Sequence, residues 1–300
     1  MASAQLISNA VGIRNVLIGT DFSHCSSLAI EYGLELAQSN HAKAHIIYVV
    51  PRDEFLLADP ETFIAARDAA RRDILELRQR LERRFAYHEG QDYELLIFEG
   101  HIAECILRCV NERRIDLVIM GTHGHAGINR FLMGSIAERV FRASPVPVLT
   151  IGPHLKSAHR HYVPRHIMLA AEFTPACEAA ARFACALARE HEATVTVLHV
   201  IDERDGHATA HPERMKAPIA AELAAFFEES LEGTRFECRV ETGPVVPTII
   251  KATTDLEADL LVTGVRPSPP LLQRFIWPNA YAIVRDSPCP VVTVRGTSQS

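Results

Sequence analysis

The sequence has no run of about 18 apolar residues, which is the length that begins to indicate a transmembrane helix. It also has no excess of basic residues, since 37 acidic residues stand against 31 basic ones and the formal net charge is −6. A chain of this charge offers no electrostatic footprint for polyanions. We therefore expect neither a nucleic acid nor a membrane as its partner.

Signals for export and for disulfide formation are equally scarce. The first residues include no basic stretch ahead of an apolar segment, and no N-x-S/T sequon occurs. The seven cysteines are an odd number and are never spaced as C-x-x-C. They are typical of reduced, mostly buried thiols, so we expect a cytoplasmic protein.

Several familiar motifs of nucleotide and acyl chemistry are missing. No G-x-x-x-x-G-K-[S/T] loop occurs, there is no G-x-G, and there is no G-x-S-x-G. These absences argue against a P-loop, a dinucleotide fingerprint and a serine-hydrolase elbow. No grouping of Ser, His, Asp or Cys indicates nucleophilic catalysis, so the chain is not expected to be an efficient enzyme.

The sequence repeats itself instead. Residues 15–23 align with 166–174 at an offset of 151, and residues 115–151 align with 258–294 at an offset of 143. A repeat of this length predicts two similar domains. We expect one half at 14–152, a linker at 153–164 and a second half at 165–296.

Each half alternates short apolar runs with longer helical patterns. In the first half the order is β-α-β-α-β-α-β-α-β, with helices expected at 24–40, 67–84, 102–113 and 136–142 and the last strand at 146–151. Strands that are apolar throughout indicate a parallel sheet covered on both faces. The predicted fold is therefore two tandem Rossmann-like or flavodoxin-like α/β domains, each with a five-stranded, mainly parallel sheet.

Glycine is concentrated between a predicted strand and a predicted helix. Gly121, Gly124 and Gly134, followed by Ser135, fit the spacing G-2x-G-9x-G-[S/T]. Backbone amides in such a loop can hold phosphate, although glycine density alone is equally typical of a surface loop with several turns. The spacing and its surroundings resemble the ATP-binding signature of the universal stress protein family. Segments 16–23, 48–50, 116–124, 134–140 and 144–149 are similar to that family's pattern.

The resemblance implies a role for each of eight residues. Asp21 would contact the nucleoside, Val49 would offer backbone groups to adenine, and Met120 would pack on the nucleoside. Gly121 and Gly124 would let the loop approach ribose and phosphate, while Arg130, Gly134 and Ser135 would bind phosphates. Asp21 is also a typical residue at a helix start, and Met120 is otherwise a typical core residue. The implied cofactor is ATP with Mg²⁺ bridging its phosphates.

The second repeat differs at the same loop. Pro267, Trp277 and Pro278 stand where the first repeat has Gly124, Gly134 and Ser135. Proline lacks the amide that would bind phosphate, and an indole fills the space beside a glycine. We therefore expect one ATP site, in the first half, and a degenerate second half.

The expected function is nucleotide-dependent stress-response signalling, and two alternatives stay open: a scaffold that does not need ATP, and a slow ATPase. The apolar last strands, 146–151 and 289–294, are typical of sheet edges that pair. The resemblance implies dimerisation through this strand. We accordingly expect the two halves to pair within the chain, with homodimerisation through another face as a further interaction. A protein client is expected, but the sequence does not identify it.

Overall fold

A computed structural model of the chain describes residues 12–51, 60–87, 89–90, 92–122, 134–155, 163–202, 212–266 and 278–296. In the first repeat the elements are β1 (Asn15–Thr20), α1 (His24–Ser39), β2 (Lys43–Pro51), α2 (Pro60–Phe85), β3 (Tyr93–Gly100), α3 (Ile102–Glu112), β4 (Leu117–Gly121), α4 (Ser135–Ala143) and β5 (Val148–Ile151). In the second they are β6 (His166–Ala170), α5 (Pro175–His191), β7 (Thr194–Ile201), α6 (Pro212–Phe227), β8 (Phe236–Thr242), α7 (Val245–Asp255), β9 (Leu260–Val265), α8 (Pro278–Asp286) and β10 (Val291–Arg295).

Backbone contacts divide the chain into two units. The first unit is Ile13–Val148, in which the strands lie in the order β3-β2-β1-β4. The second runs from Leu149 onward, in the order β5-β10-β9-β6-β7-β8. The division falls within β5, because this strand joins the second unit, where the Thr150 hydroxyl donates to the Val291 carbonyl at 3.2 Å. The domain limits at 152 and 165 stay a prediction.

Each unit has the strand order of a doubly wound sheet. Strand β1 pairs in parallel with both β2 and β4, and β6 pairs in parallel with both β7 and β9. The chain therefore winds outward in both directions from β1 and from β6. Ligands of such sheets bind in the crevice at the carboxyl ends of these central strands.

Helices cover both faces of the first sheet. Leu17 and Ile18 are adjacent in β1, so their side chains point to opposite faces. Leu17 belongs to a buried cluster with α3 and α4 residues such as Ile106 and Val140. Ile18 contacts α1 closely: a Cβ added to Gly33 would lie 2.6 Å from the Ile18 Cδ1. The predicted tandem parallel α/β fold is confirmed.

The predicted helix limits and the limits of the last strand in the first repeat agree with the structure to within one residue, except at two starts, and a proline lies at both. Helix α2 begins at Pro60 rather than at Arg67, because a proline in the first helical turn has no N–H to leave unpaired. Strand β5 begins at Val148 rather than at residue 146. Pro147 lacks a donor for the ladder and contributes its carbonyl instead, which accepts from the Val118 amide at 3.1 Å.

The end of the first sheet opposite the crevice holds a buried histidine. His45, on β2, is 2% exposed, and its Nδ1 lies 3.1 Å from Glu94 Oε2. Lys43 and Arg113 contact the same carboxylate. Burial lowers the pKa of His45 below its usual 6.5, and this effect outweighs the Glu94 charge. The folded protein therefore keeps this ring neutral at pH values where the unfolded chain takes up a proton.

We expect the stability of the first unit to fall as the pH drops below about 6.5, because the unfolded chain then binds the proton more tightly. For each pKa unit by which the folded protein lowers the pKa of His45, full acidification lowers the unfolding free energy by about 1.4 kcal/mol. The test is urea denaturation at pH 7.5 and 5.0 for the wild type and for His45→Thr, which copies Thr196 of the second repeat. The variant should lose less stability on acidification. Equal losses in both proteins would contradict the expectation.

Candidate functional site at the carboxyl edge of the first sheet

The strand register brings distant parts of the sequence to one edge of the sheet. Thr20 is aligned with Tyr48, and Gly19 is aligned with Met120. The residues that come next, Asp21 just after β1, Val49 in β2 and Gly121 at the end of β4, therefore lie near the same level toward the carboxyl ends of these strands. This edge is where the strand order reverses, so the structure groups these three predicted site residues at the expected crevice.

Asp21 organises the start of α1. Its Oδ1 accepts a hydrogen bond from the Ser23 amide at 3.0 Å, while the Ser23 hydroxyl accepts from the Ser26 amide at 3.3 Å. The Asp21 amide in turn donates to Ser26 Oγ at 3.4 Å. Asp21 therefore has the structural role at a helix start that the sequence analysis gave as the alternative to ligand binding. These bonds also fix the position of the carboxylate at the crevice.

An aromatic pair that the sequence analysis did not identify lies beside Asp21. Phe22 has a φ of 62°, in the left-handed region, and its ring centre is 4.8 Å from that of Tyr48. Its amide donates to Thr20 Oγ1 at 3.1 Å. A left-handed conformation is unfavourable for a bulky residue and is concentrated at functional sites. An aromatic residue directly after the strand-end acid was the signal available in the sequence.

The side chains of Val49 and Met120 lie in the hydrophobic core. Val49 is 5% exposed and Met120 is 6% exposed, and both belong to the buried cluster between the sheet and helices α3 and α4. Any contact of Val49 with a ligand would come from its backbone, as the resemblance implies. The Met120 side chain packs in the core, which is the alternative role that the sequence analysis gave it.

Gly121 is required by the packing of α1 against β4. A Cβ on Gly121 would lie 2.8 Å from the Ser26 amide nitrogen and 2.9 Å from the Cys25 carbonyl carbon. The corresponding Gly264 approaches α5 in the same way, and its Cβ would lie 2.7 Å from the Cys177 amide nitrogen. Both repeats keep this glycine although only one keeps the glycine-rich loop. Helix packing therefore explains the residue without a ligand.

Helix α4 begins directly at the crevice. Gly134 is its N-cap and offers no side chain, and the helix starts at Ser135. The Gly134 amide donates to the Thr122 carbonyl at 2.7 Å, so this amide already has a protein acceptor. This bond ties α4 to β4, and the phosphate contact expected from the same amide stays a prediction. The Ser135 amide and hydroxyl remain the candidate donors, while Gly124 and Arg130 lie outside the described residues.

The corresponding edge of the second sheet is occupied by an ion pair. Arg266, just after β9, lies with Nη2 3.2 Å from Oε2 of Glu172, just after β6. The Glu172 amide donates to Cys177 Sγ at 3.3 Å, which repeats the contact of Asp21 with Ser26. Helix α8 begins at Pro278, the counterpart of Ser135. The second half keeps the backbone arrangement of this edge but has no amide N–H at residue 278, where its helix starts.

The cysteines do not form a reactive centre. None of the seven forms a disulfide bond, and six are buried. Burial raises the pKa of the Cys289 thiol to about 12 and that of Cys238 to about 11. The described residues hold no group of three His, Cys, Asp or Glu side chains placed to bind a metal ion. None of the described helices is long and apolar enough to cross a membrane.

Fold and edge geometry together define a tandem α/β protein with a switch-point crevice in each half. The universal stress protein family model matches residues 12–152 and 164–295. The chain therefore belongs to the universal stress protein family, with two copies of its domain.

Individual relatives agree with this assignment. A universal stress protein of Methanocaldococcus jannaschii is 28% identical over 139 residues, which are 46% of this chain and 81% of the relative. The Bacillus subtilis universal stress protein YxiE is 25% identical over 147 residues, covering 46% of this chain and 98% of its own. A crystal structure of a universal stress protein from Archaeoglobus fulgidus covers 97% of this chain and 99% of its own, with a TM-score of 0.70 and 20% identity. The last similarity extends the shared fold over both repeats.

Proposed function

We propose that the first half binds one ATP and that the protein acts as a nucleotide-dependent module of the stress response. The observation that supports this proposal most directly is the register at the carboxyl edge. It groups an acidic residue, a strand end and the start of a helix without a side-chain cap. An uncapped helix start attracts phosphate, because its amides and its dipole both favour negative charge.

Each part of the nucleotide would have its own partner. The Asp21 carboxylate would accept from hydroxyl groups of the ribose, and the backbone of Val49 would pair with the base. Ser135 would donate its amide and hydroxyl to the phosphates. Bound ATP supplies a compact set of negative charges at the start of α4. Mg²⁺ would be held chiefly through phosphate oxygens.

The second half would bind no ATP. Pro278 has no amide to donate at the helix start, and Arg266 neutralises the carboxylate that corresponds to Asp21. We infer a binding module rather than an efficient ATPase, since no water-activating base can be assigned among the described residues of the edge. The scaffold and slow-ATPase alternatives make different predictions in the same experiment.

The test is calorimetric titration of the full chain with Mg-ATP, together with identification of any nucleotide released on denaturation. We expect one ATP per chain. Asp21→Asn should weaken binding about tenfold, because a hydrogen bond to a charged group contributes about 1.5–3 kcal/mol. Asparagine keeps an oxygen for the Ser23 amide, so the start of α1 should stay intact.

Glu172→Gln is the matched control, because it makes the same change at the corresponding position of the second half. It should leave ATP binding unchanged. No binding by the wild type would refute the proposal and favour the scaffold. Two equivalents would refute the degenerate second half, and turnover well above background would favour the ATPase.

A further inference from the structure

Among the described residues, the outer strand of the first sheet is open along part of its length. Strand β3 stands at the end of the strand order, with β2 as its neighbour. The Tyr93 carbonyl points away from β2, because it accepts from the Gly90 amide at 2.7 Å, ahead of the strand. Backbone groups point alternately to the two sides of a strand, so Leu95, Ile97 and Glu99 direct their N–H and C=O groups to the same outer side. Such an edge can pair with a further strand.

Exposed apolar side chains are concentrated at this edge. The described residues leave five large apolar side chains exposed, and three of them are Ile64 (55%), Leu75 (51%) and Ile97 (53%). Ile64 and Leu75 are about three turns apart on α2, so they share one face of that helix. Ile97 lies on the side of the sheet that faces α2, because Glu99 follows two residues later and pairs with Arg67 at 3.2 Å. We call the open edge and this helix face the β3–α2 surface.

The exposed stripe of α2 lies on the β3 side of the helix. Arg67 contacts Glu99 at the end of β3, and Arg78 contacts Glu89 just ahead of β3. These two contacts orient α2 antiparallel to β3. With 3.6 residues per turn, both arginines lie between the buried side of α2, which includes Ile74, and the exposed stripe. The stripe therefore faces outward beside the open edge of the sheet.

The corresponding strand of the second half is protected by charge. The strand register makes Val240 of β8 the counterpart of Ile97, but Val240 is only 7% exposed. Arg239 and Glu241 flank it, and each forms an ion pair. The first half has a leucine and a phenylalanine at these two flanking positions. Charges on an edge strand oppose pairing with another strand, so β3 is the edge suited to it.

The stripe on α2 is complementary to itself when two copies run in opposite directions. Its members share one helix face and are, in order, Ile64, Asp68, Arg71 and Leu75. In an antiparallel pair, Ile64 of one copy opposes Leu75 of the other, and Asp68 opposes Arg71. Both charged side chains are exposed, at 52% and 68%. The stripe thus offers apolar contacts at its ends and opposite charges at its centre.

One two-fold axis can serve both the strand and the helix. Ile97 lies about 6.6 Å along β3 from Glu99, which pairs with Arg67. The same distance along α2 is about four residues, so Arg71 is near the level of Ile97. This level is close to the middle of the stripe. An axis at Ile97 therefore brings two stripes together centre to centre.

We propose that the β3–α2 surface joins two copies of this chain, with antiparallel pairing of β3 about a two-fold axis at Ile97. In this register Ile97 opposes its own counterpart and Leu95 opposes Glu99, so no acidic residue faces another across the strands. Each of these pairs exchanges both N–H···O bonds. On the other face of the sheet, Leu96 meets Phe98 of the second copy. The same patch serves both copies, so the assembly closes as a dimer, and it does not depend on ATP binding.

The experiment is sedimentation velocity of the full chain from about 1 to 200 µM, a range suited to an interface of modest size. We expect a dimer that forms with rising concentration. Ile97→Lys should weaken it at least 100-fold, because two ammonium groups would meet at the axis. Met215→Lys is the matched control, since Met215 is an exposed apolar residue of α6 outside the surface, and it should leave dimerisation unchanged. Circular dichroism checks that both variants fold.

Charge reversal on α2 tests the contact between the stripes. Asp68→Arg should weaken dimerisation about tenfold, because it places like charges opposite each other on both sides of the axis, and Arg71→Asp should do the same. The double variant restores opposite charges between the copies and should recover the wild-type affinity. Hydrogen exchange of the β3 amides should slow as the dimer forms, because the N–H groups of the edge become bonded.

The proposal is overturned if the chain stays monomeric over this range, which would leave the edge to a strand of another protein. It is equally overturned if Ile97→Lys dimerises like the wild type, since the copies would then meet through another surface. Loss of the dimer in Met215→Lys would have the same meaning. A double charge-reversal variant no better than the single ones would contradict the antiparallel pairing of the stripes.

Discussion

Gly264→Ala is expected to lower the unfolding free energy of the second half by about 3 kcal/mol, at the upper end of the usual cost of overpacking. The added Cβ would meet the Ala176 carbonyl and would lie 2.7 Å from the Cys177 amide nitrogen. Both are backbone atoms at the start of α5, so no flexible side chain can move aside. Gly121→Ala should cost about 2 kcal/mol in the first half for the same reason.

Urea denaturation measures both effects. Far-UV circular dichroism follows the whole chain. Gly19→Ala is the matched control: it is also on a central strand, but apart from the two adjacent residues the nearest atom to its Cβ would be the Met120 Cβ, at 3.7 Å. That variant should change stability by less than about 1 kcal/mol. An unchanged midpoint in Gly264→Ala would show that α5 can move away from β9.

Gly121 and Gly264 show that a glycine in the sequence can be explained either by ligand binding or by helix packing. Gly121 belongs to the glycine-rich loop, but its counterpart Gly264 persists in a half without that loop. The repeat therefore carried a signal that this glycine has a packing role. Only the structure shows the atoms involved, because α1 contacts the end of β4 from almost 100 residues away in the sequence.

The fold was accessible from the sequence because its determinants are local or repeated. Apolar strands, helical periodicity and the internal repeat together predicted two parallel α/β halves, and the order of elements in the first half agrees with the structure. Proline shifted two element limits by a few residues. Such limits depend on individual backbone hydrogen bonds, which composition does not specify.

The site was only partly accessible for a related reason. Asp21 and Ser135 lie at a strand end and a helix start, and both positions follow from local patterns. The pairs Phe22–Tyr48 and Glu172–Arg266 join residues in or just after different strands, so they depend on register. The bond from the Gly134 amide to Thr122 depends on how α4 docks, and the spacing of glycines does not determine that.

The second large effect is expected for Ser135→Pro, which copies Pro278 of the second half. Proline is favoured at the first position of a helix, and α8 begins with one, so α4 should keep its structure. The variant loses both candidate phosphate donors of residue 135, the amide and the hydroxyl. Two hydrogen bonds to a charged group contribute about 1.5–3 kcal/mol each, so ATP affinity should fall at least 100-fold.

Ser135→Ala separates the two donors, since alanine keeps the amide and loses only the hydroxyl. We expect an intermediate loss of about tenfold. Adenosine has no phosphate, so its affinity for the first half should be the same in all three proteins. Calorimetry with ATP and adenosine thus distinguishes a phosphate contact from general damage to the crevice. If Ser135→Pro bound ATP like the wild type, phosphate would not be held at the start of α4. If adenosine binding fell in parallel, the proline would have disturbed the whole edge of the sheet.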